Sequence, residues 1–171
     1  MAIIREVRGI TPETGKNCFI AETAVIVGDV VIGDDCSIWY NAVLRGDVNS
    51  IRIGDRTNIQ DGAVLHTLYE RSVVEIGHDV SVGHNAIIHG AKVGHNVLVG
   101  MGAILMDNAV VPDNTIIAAG AVVLSNTTLE SGVYAGMPAR KVRDCDEKTI
   151  AMARQNAAGY LLYKEWFKDH P

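Results

Sequence analysis

A chain of 171 residues, 48% hydrophobic but only 5% aromatic and carrying 17 glycines, can bury one core without crosslinks and lacks the bulky side chains that usually fill a globular one. Its net charge of −5, with 15 basic residues scattered among 20 acidic ones, leaves no electrostatic footprint for a nucleic acid or an anionic membrane. No apolar run approaches the roughly 20 residues that span a bilayer, residues 1–10 lack the core of a secretory signal, and three cysteines without metal-finger spacing argue against a disulfide framework; a cytoplasmic protein with reduced thiols is expected.

Aliphatic residues recur every six positions: Ile20, Ile26, Ile32, Ile38 and Leu44, then Ile53, Ile59 and Leu65, then Ile76, Val82 and Ile88, and finally Val93, Val99, Leu105, Val111, Ile117, Val123 and Leu129. Four residues after such positions stand small or β-branched residues, among them Ala24, Val30, Cys36, Ala42, Thr57, Ala63, Val80, Ala86, Val97, Ala103, Ala109, Thr115 and Ala121. Both sets are predicted to face inwards. Glycine often follows the aliphatic residue, as at Gly33, Gly54, Gly77, Gly83, Gly94 and Gly100, with Asp, Asn or His nearby, which is the chemistry of a tight corner. A unit of short strand plus turn cannot bury its own face, so successive units must wind into a parallel β-helix whose coils stack at about 4.8 Å.

Two irregular steps, nine residues from Leu44 to Ile53 and eleven from Leu65 to Ile76, predict excursions near residues 49–52 and 68–75. Loops on a rigid scaffold are where function concentrates. From Asp144 the period changes: Ile150, Ala153, Ala157, Leu161 and Trp166 fit one apolar face of a helix lying along the solenoid's side. The chain thus divides into a β-helix domain, 1–143, and a C-terminal helix, 144–171.

Four segments resemble the gamma-class carbonic anhydrases in order and spacing. They are residues 41–47 (Asn-Ala-Val-Leu-Arg-Gly-Asp), 57–62 (Thr-Asn-Ile-Gln-Asp-Gly) with His66 after it, 82–90 (Val-Gly-His-Asn-Ala-Ile-Ile-His-Gly) and 134–140 (Tyr-Ala-Gly-Met-Pro-Ala-Arg). The resemblance implies an all-β solenoid that is a left-handed parallel β-helix of three units per coil, assembled as a homotrimer. It implies metal ligands His66, His84 and His89, with His84 from the neighbouring subunit, and zinc as the ion, Fe²⁺ or Co²⁺ being possible occupants. Gln60 resembles the partner of the metal-bound water, with Asn58 beside it; Tyr134 resembles a site-lining tyrosine; Arg45, Asp47 and Asp61 resemble a charged cluster that joins subunits. The implied reaction is reversible hydration of carbon dioxide to bicarbonate by metal-bound hydroxide at a subunit interface.

Given the three units per coil that the resemblance implies, spacing agrees with that ligand set. His66 follows Leu65 and His89 follows Ile88, each by one position, and three units separate them. With three units per coil they stack on one face, one coil apart, near enough to converge on one ion with bonds of about 2.0 to 2.1 Å. His84 follows Val82 by two positions, on the preceding face, with a corner between it and His89, so sharing the ion requires a second chain. His78 and His95 sit in Gly-His-Asx corners where other units carry Asp, and read as solvated turn residues without stacked partners. Cys18 and Cys36, eighteen apart, read as apolar fillers stacked inside the solenoid.

The sequence departs from the family's pattern where acids would move protons. Val48 stands directly after the Arg-Gly-Asp turn, and Glu70 and Glu75 are the acids in the short segment 67–75. Three other functions fit such a scaffold: a hexapeptide-repeat acyltransferase with a histidine base, a metal-dependent thioesterase acting on an acyl-CoA, and a non-catalytic trimer that a metal merely staples or that binds a small molecule.

Overall fold

A computed structural model describes residues 1–168. The hexads form short parallel strands that stack in three columns. In the first, Val25–Ile32, Val43–Ile53, Val64–His66, Ile87–His89, Ile104–Leu105 and Val122–Val123 follow one another, with Leu44 opposite Leu65 and His66 opposite His89. In the second, the far half of Val43–Ile53 is followed by Val74–Ile76, Lys92–Val93 and Val110–Val111. The third runs from Phe19–Ile20 through Ser37–Ile38, Asn58–Ile59, Ser81–Val82, Leu98–Val99 and Ile116–Ile117 to Val133–Ala135. Columns one and two form a single sheet because Val25–Ile32 and Val43–Ile53 run unbroken round a corner.

The six-residue rhythm falls inside as expected. Ile26, Ile38, Leu44, Ile59, Leu65, Ile88, Leu105 and Ile117 are fully buried, and so are Ala24, Cys36, Ala42, Ala63, Ala86, Ala103, Ala109 and Ala121. Pairing a large residue with a small one fills each thin coil without overpacking it. Ile20 and Leu129 are only partly buried, since they close the two ends of the stack. Cys36 is buried and Cys18 half-buried, and Phe19 N–H bonds the Cys36 carbonyl at 3.0 Å, which puts the two free thiols in neighbouring coils. At one corner Asn17, Asp35, Arg56, Asp79, Asn96 and Asn114 all adopt φ between 53 and 59°, the left-handed region that Asn and Asp tolerate best. Arg56 is the exception there, and its guanidinium grips Asp79 of the next coil through two nitrogens at 2.7 and 2.8 Å.

Both excursions lie slightly off the expected stretches. Gly28 pairs with Gly46 and Val30 with Ile51, so residues 47–50 bulge outwards while Ile51 and Arg52 are already back in the ladder. Counting from Ile53 alone misplaces the bulge because Ile51 faces inwards as well. The second excursion covers 67–73, closed by the Arg71 and Ser72 N–H groups on the Leu68 carbonyl at 3.1 and 3.2 Å, and Glu75 is in a strand.

Helix α1, Glu147–Tyr163, is capped by Asp146, whose carboxylate accepts the Thr149 N–H at 2.8 Å. Its buried residues are Thr149, Ala153 and Ala157. The short α2, Glu165–Lys168, continues it after a break at Lys164. That break corrects the expected apolar face: Trp166 is 59% exposed, and Lys164 takes the buried place, its Nζ donating to the Asn17 carbonyl at 2.7 Å and to Asp35 at 3.2 Å. The helices run beside the third column, where Trp39 meets Tyr160 and Phe167 with ring centroids 5.5 and 5.2 Å apart. No helix among the described residues is long and apolar enough to cross a membrane.

Candidate metal centre

His66 and His89 leave adjacent strands of the first column at the same register. Their inward neighbours Leu65 and Ile88 lock the strands, and alternation turns both imidazoles outwards. His66 Nδ1 and His89 Nε2 face each other at 3.1 Å, the rings inclined at 62°. Each ring has a carboxylate on its other nitrogen: Asp47 Oδ1 lies 3.1 Å from His66 Nε2, and both oxygens of Asp107 lie 3.0 Å from His89 Nδ1.

That arrangement fixes the protons. A carboxylate only accepts, so His66 Nε2 and His89 Nδ1 carry hydrogen, and with no second proton on either ring the two facing nitrogens are bare lone pairs. Lone pairs opposed at this distance repel unless a proton or a metal cation lies between them. Two ligand nitrogens on a tetrahedral zinc ion stand about 3.3 Å apart, close to the observed separation, so the donor set fits a divalent metal. Burial, and next the Arg45 charge, hold His66 below the ordinary histidine range, which keeps it neutral and able to donate. Burial pushes Asp47 up, but hydrogen bonds from Arg45 at 2.7 Å and from His66 outweigh it and hold this carboxyl low.

His84 leaves the third column, beside Asp61 of the preceding coil, with His84 Nδ1 2.9 Å from Asp61 Oδ2 and both side chains 41% exposed. All three candidate ligands are thus backed by a carboxylate, the arrangement that orients an imidazole towards a metal. Among the described residues no group of three or more His, Cys, Asp or Glu is arranged to hold an ion within this chain. His84 does not join the pair, as the sequence geometry requires for a site shared between chains.

Of the other expected residues, Gln60 and Asn58 lie in the His84 column. Gln60 Nε2 donates to Asn58 Oδ1 at 3.0 Å, Asn58 Nδ2 donates to Ser81 Oγ at 2.9 Å, and both residues are at most 5% exposed. Tyr134 lies at the far end of the same column: it pairs with Ile117 at the inward position of the last coil, and its hydroxyl is engaged by the Glu130 backbone, so within this chain it packs the solenoid's end. Of the residues expected to join subunits, Asp47 and Asp61 lie against His66 and His84 of their own chain, and Arg45 pairs with Asp47. Glu75 is paired with Lys92 at 2.9 Å and Glu70 is exposed at the tip of the excursion. His78 and His95 are corner residues, but they do have stacked partners, namely each other, with centroids 5.0 Å apart. Sequence reasoning misses Asp107; the signal is its position 18 residues beyond His89, one regular coil further on.

The family described as bacterial transferase hexapeptide (six repeats) matches residues 11–46 and 90–125. The chain is 41% identical to the protein YrdA of Escherichia coli, over 98% of this chain and 95% of that one. It is 38% identical to the carbonic anhydrase of Geobacillus kaustophilus, over 94% of this chain and 88% of that one. Among solved structures, a hexapeptide transferase family protein from Anaplasma phagocytophilum superposes with a TM-score of 0.90 at 38% identity, covering 96% of this chain and 98% of the other.

Proposed function

The chain belongs to the gamma-class carbonic anhydrase-like family of hexapeptide-repeat proteins, and we propose from that premise that it is a metal-dependent carbonic anhydrase whose site is completed by a second copy of the chain. The observation that carries this reading is the pair of facing imidazole nitrogens at 3.1 Å with carboxylates behind both rings. His66 and His89 of one protomer and His84 of the next would hold the ion. Three neutral imidazoles suit zinc, and Fe²⁺ or Co²⁺ nearly as well. When bound, such an ion supplies the Lewis acidity that makes water a nucleophile towards carbon dioxide near neutral pH.

The chain's own residues prepare that chemistry. Asp47 and Asp107 hold the His66 and His89 protons on the nitrogens away from the ion, and Asp61 lies within 2.9 Å of His84 Nδ1 to do the same there. Gln60, its amide nitrogen anchored on Asn58, keeps its carbonyl oxygen free to orient the attacking water. Val48, half-buried in the bulge beside Asp47, offers no proton acceptor there, so proton removal falls to solvent or buffer. Support for trimeric assembly comes from the outward side chains of the first column. Val25, Val43, Val64, Ile87, Ile104 and Val122 form an aliphatic stripe left half-exposed beside the histidines, where a water-facing strand is ordinarily polar.

Purified protein is expected to be a trimer with about one ion per chain, and to hydrate carbon dioxide in a stopped-flow assay with a rate raised by imidazole buffer. A metal-free trimer without hydration activity overturns the reading. A second reading, acyl transfer, is favoured by the family's transferase name and by the Anaplasma phagocytophilum structure. It requires one histidine free as a base, and acetyl-CoA turnover by metal-stripped protein would select it.

A further inference from the structure

Behind His89 lies a set of contacts that holding a single imidazole does not require. Asp107 Oδ1, besides facing His89 Nδ1, accepts the Ser72 hydroxyl at 2.7 Å, and Ser72 Oγ in turn accepts the Leu68 N–H at 2.9 Å. Ser72 is only 4% exposed although it belongs to the excursion 67–73, whose residues Leu68, Tyr69, Glu70 and Arg71 are exposed. The hydroxyl of Thr67, buried at the start of that excursion, has no partner among the described residues. Few other polar contacts therefore fix this segment to the solenoid.

The space around the relay is made for it. Gly90, the residue after His89, has φ +62°, and a Cβ there would fall 2.1 Å from Ser72 Oγ and 2.4 Å from Asp107 Oδ1. A side chain at this place would force Ser72, Asp107 or both to move. Glycine is needed both for the backbone turn and for the close approach.

We infer that Asp107 and Ser72 are positioning residues that join the excursion 67–73 to the ligand His89, so that loading the histidine site and ordering this segment are one event. The inference rests on the metal reading above. An imidazole that gives one nitrogen to a cation must keep its proton on the other, and that N–H becomes a stronger donor. His89 then holds Asp107 in one orientation, Asp107 holds the Ser72 hydroxyl, and Ser72 holds the Leu68 amide. Coupling of this kind is reciprocal: whatever loosens the segment weakens the ion, and the ion tightens the segment.

Two measurements on the purified trimer test this, zinc affinity by competition with a chelator and amide hydrogen exchange of residues 67–73 with and without zinc. Wild-type exchange in that segment is expected to slow on zinc loading. Asp107→Asn should weaken zinc binding by about 10- to 100-fold, and Ser72→Ala and Gly90→Ala by an amount near the lower end of that range, each abolishing the zinc-dependent slowing while the trimer persists. Affinities within about twofold of wild type, or wild-type exchange indifferent to bound zinc, overturn the inference and leave the metal reading standing. A wild-type trimer that takes up no zinc overturns both.

Discussion

Two histidine pairs in this chain are each stacked one coil apart, yet they use their nitrogens in opposite ways. His66 and His89 meet edge on, whereas His78 and His95 lie parallel, 6° between their planes. At the corner, His78 Nδ1 accepts the Asp55 N–H at 2.8 Å and His95 Nδ1 accepts the His78 N–H at 3.0 Å. They extend a ladder in which the carboxylates of Asp34, Asp55 and Asp113 accept the N–H groups of Lys16, Asp34 and His95 at 2.7, 2.9 and 2.6 Å. A neutral imidazole there substitutes for aspartate, and the backbone occupies its lone pair. At the strand exit, carboxylates occupy the N–H instead and the lone pairs are left over. Residue type does not make a ligand; what the surroundings leave unsatisfied does.

The sharpest way to break this comparison is to remove one member of each pair. His89→Ala or His66→Ala should reduce bound metal to background, while His95→Ala should leave it unchanged in elemental analysis. Metal loss in His95→Ala would mean the corner pair is the true site. Next in size is Asp47→Asn, which leaves His66 in place but withdraws the carboxylate that fixes its proton; metal affinity should fall about 10- to 100-fold by chelator competition.

At the corner the expected effects are on folding. His78→Ala removes an acceptor and should cost about 1 kcal/mol in urea denaturation, whereas His78→Asp restores the ladder's commoner rung and should stay within about 0.5 kcal/mol of wild type. Equal losses would show that the Nδ1 contact contributes nothing. The smallest effect concerns pH. Because His66 is held below 6.5 in the folded protein, the unfolded chain binds its proton first, and the metal-free protein loses stability as pH falls from about 6.5 through the lower folded value. Arg45→Gln should shrink this loss, since the Arg45 charge is one cause of the shift.

Hexad counting places His66 beside His89 because an in-register parallel ladder converts sequence spacing directly into neighbourhood. The same arithmetic puts His84 next to Gln60 and Asp61, and it separates His84 from the pair. It fails where contacts leave the ladder. Ser72 reaches Asp107 across 35 residues through an excursion with no period, so no spacing points to it. Asp47 and Asp61 carry their resemblance visibly, but the hydrogen bond of Asp47 to His66 and the approach of Asp61 to His84 depend on how the chain bulges after Gly46 and turns after Gln60. The interior position of Tyr134 escapes the hexad count because the last coil is not spaced by six. The face of the C-terminal helix is misjudged only past Lys164, where the break resets its phase.

A stack whose coils touch only their neighbours is quasi-one-dimensional and can fray from either end. Helix α1 changes that. It leaves the last coil near Arg143, whose guanidinium bonds Thr149 Oγ1 at 2.8 Å, and reaches the first coil at Lys164, bonded to a carbonyl 147 residues away in sequence. Opening the first coil therefore costs the helix its anchor, and releasing the helix bares Trp39 and Phe19. Linking the two ends in this way favours all-or-none unfolding over fraying, and a contact of such long range works against fast folding.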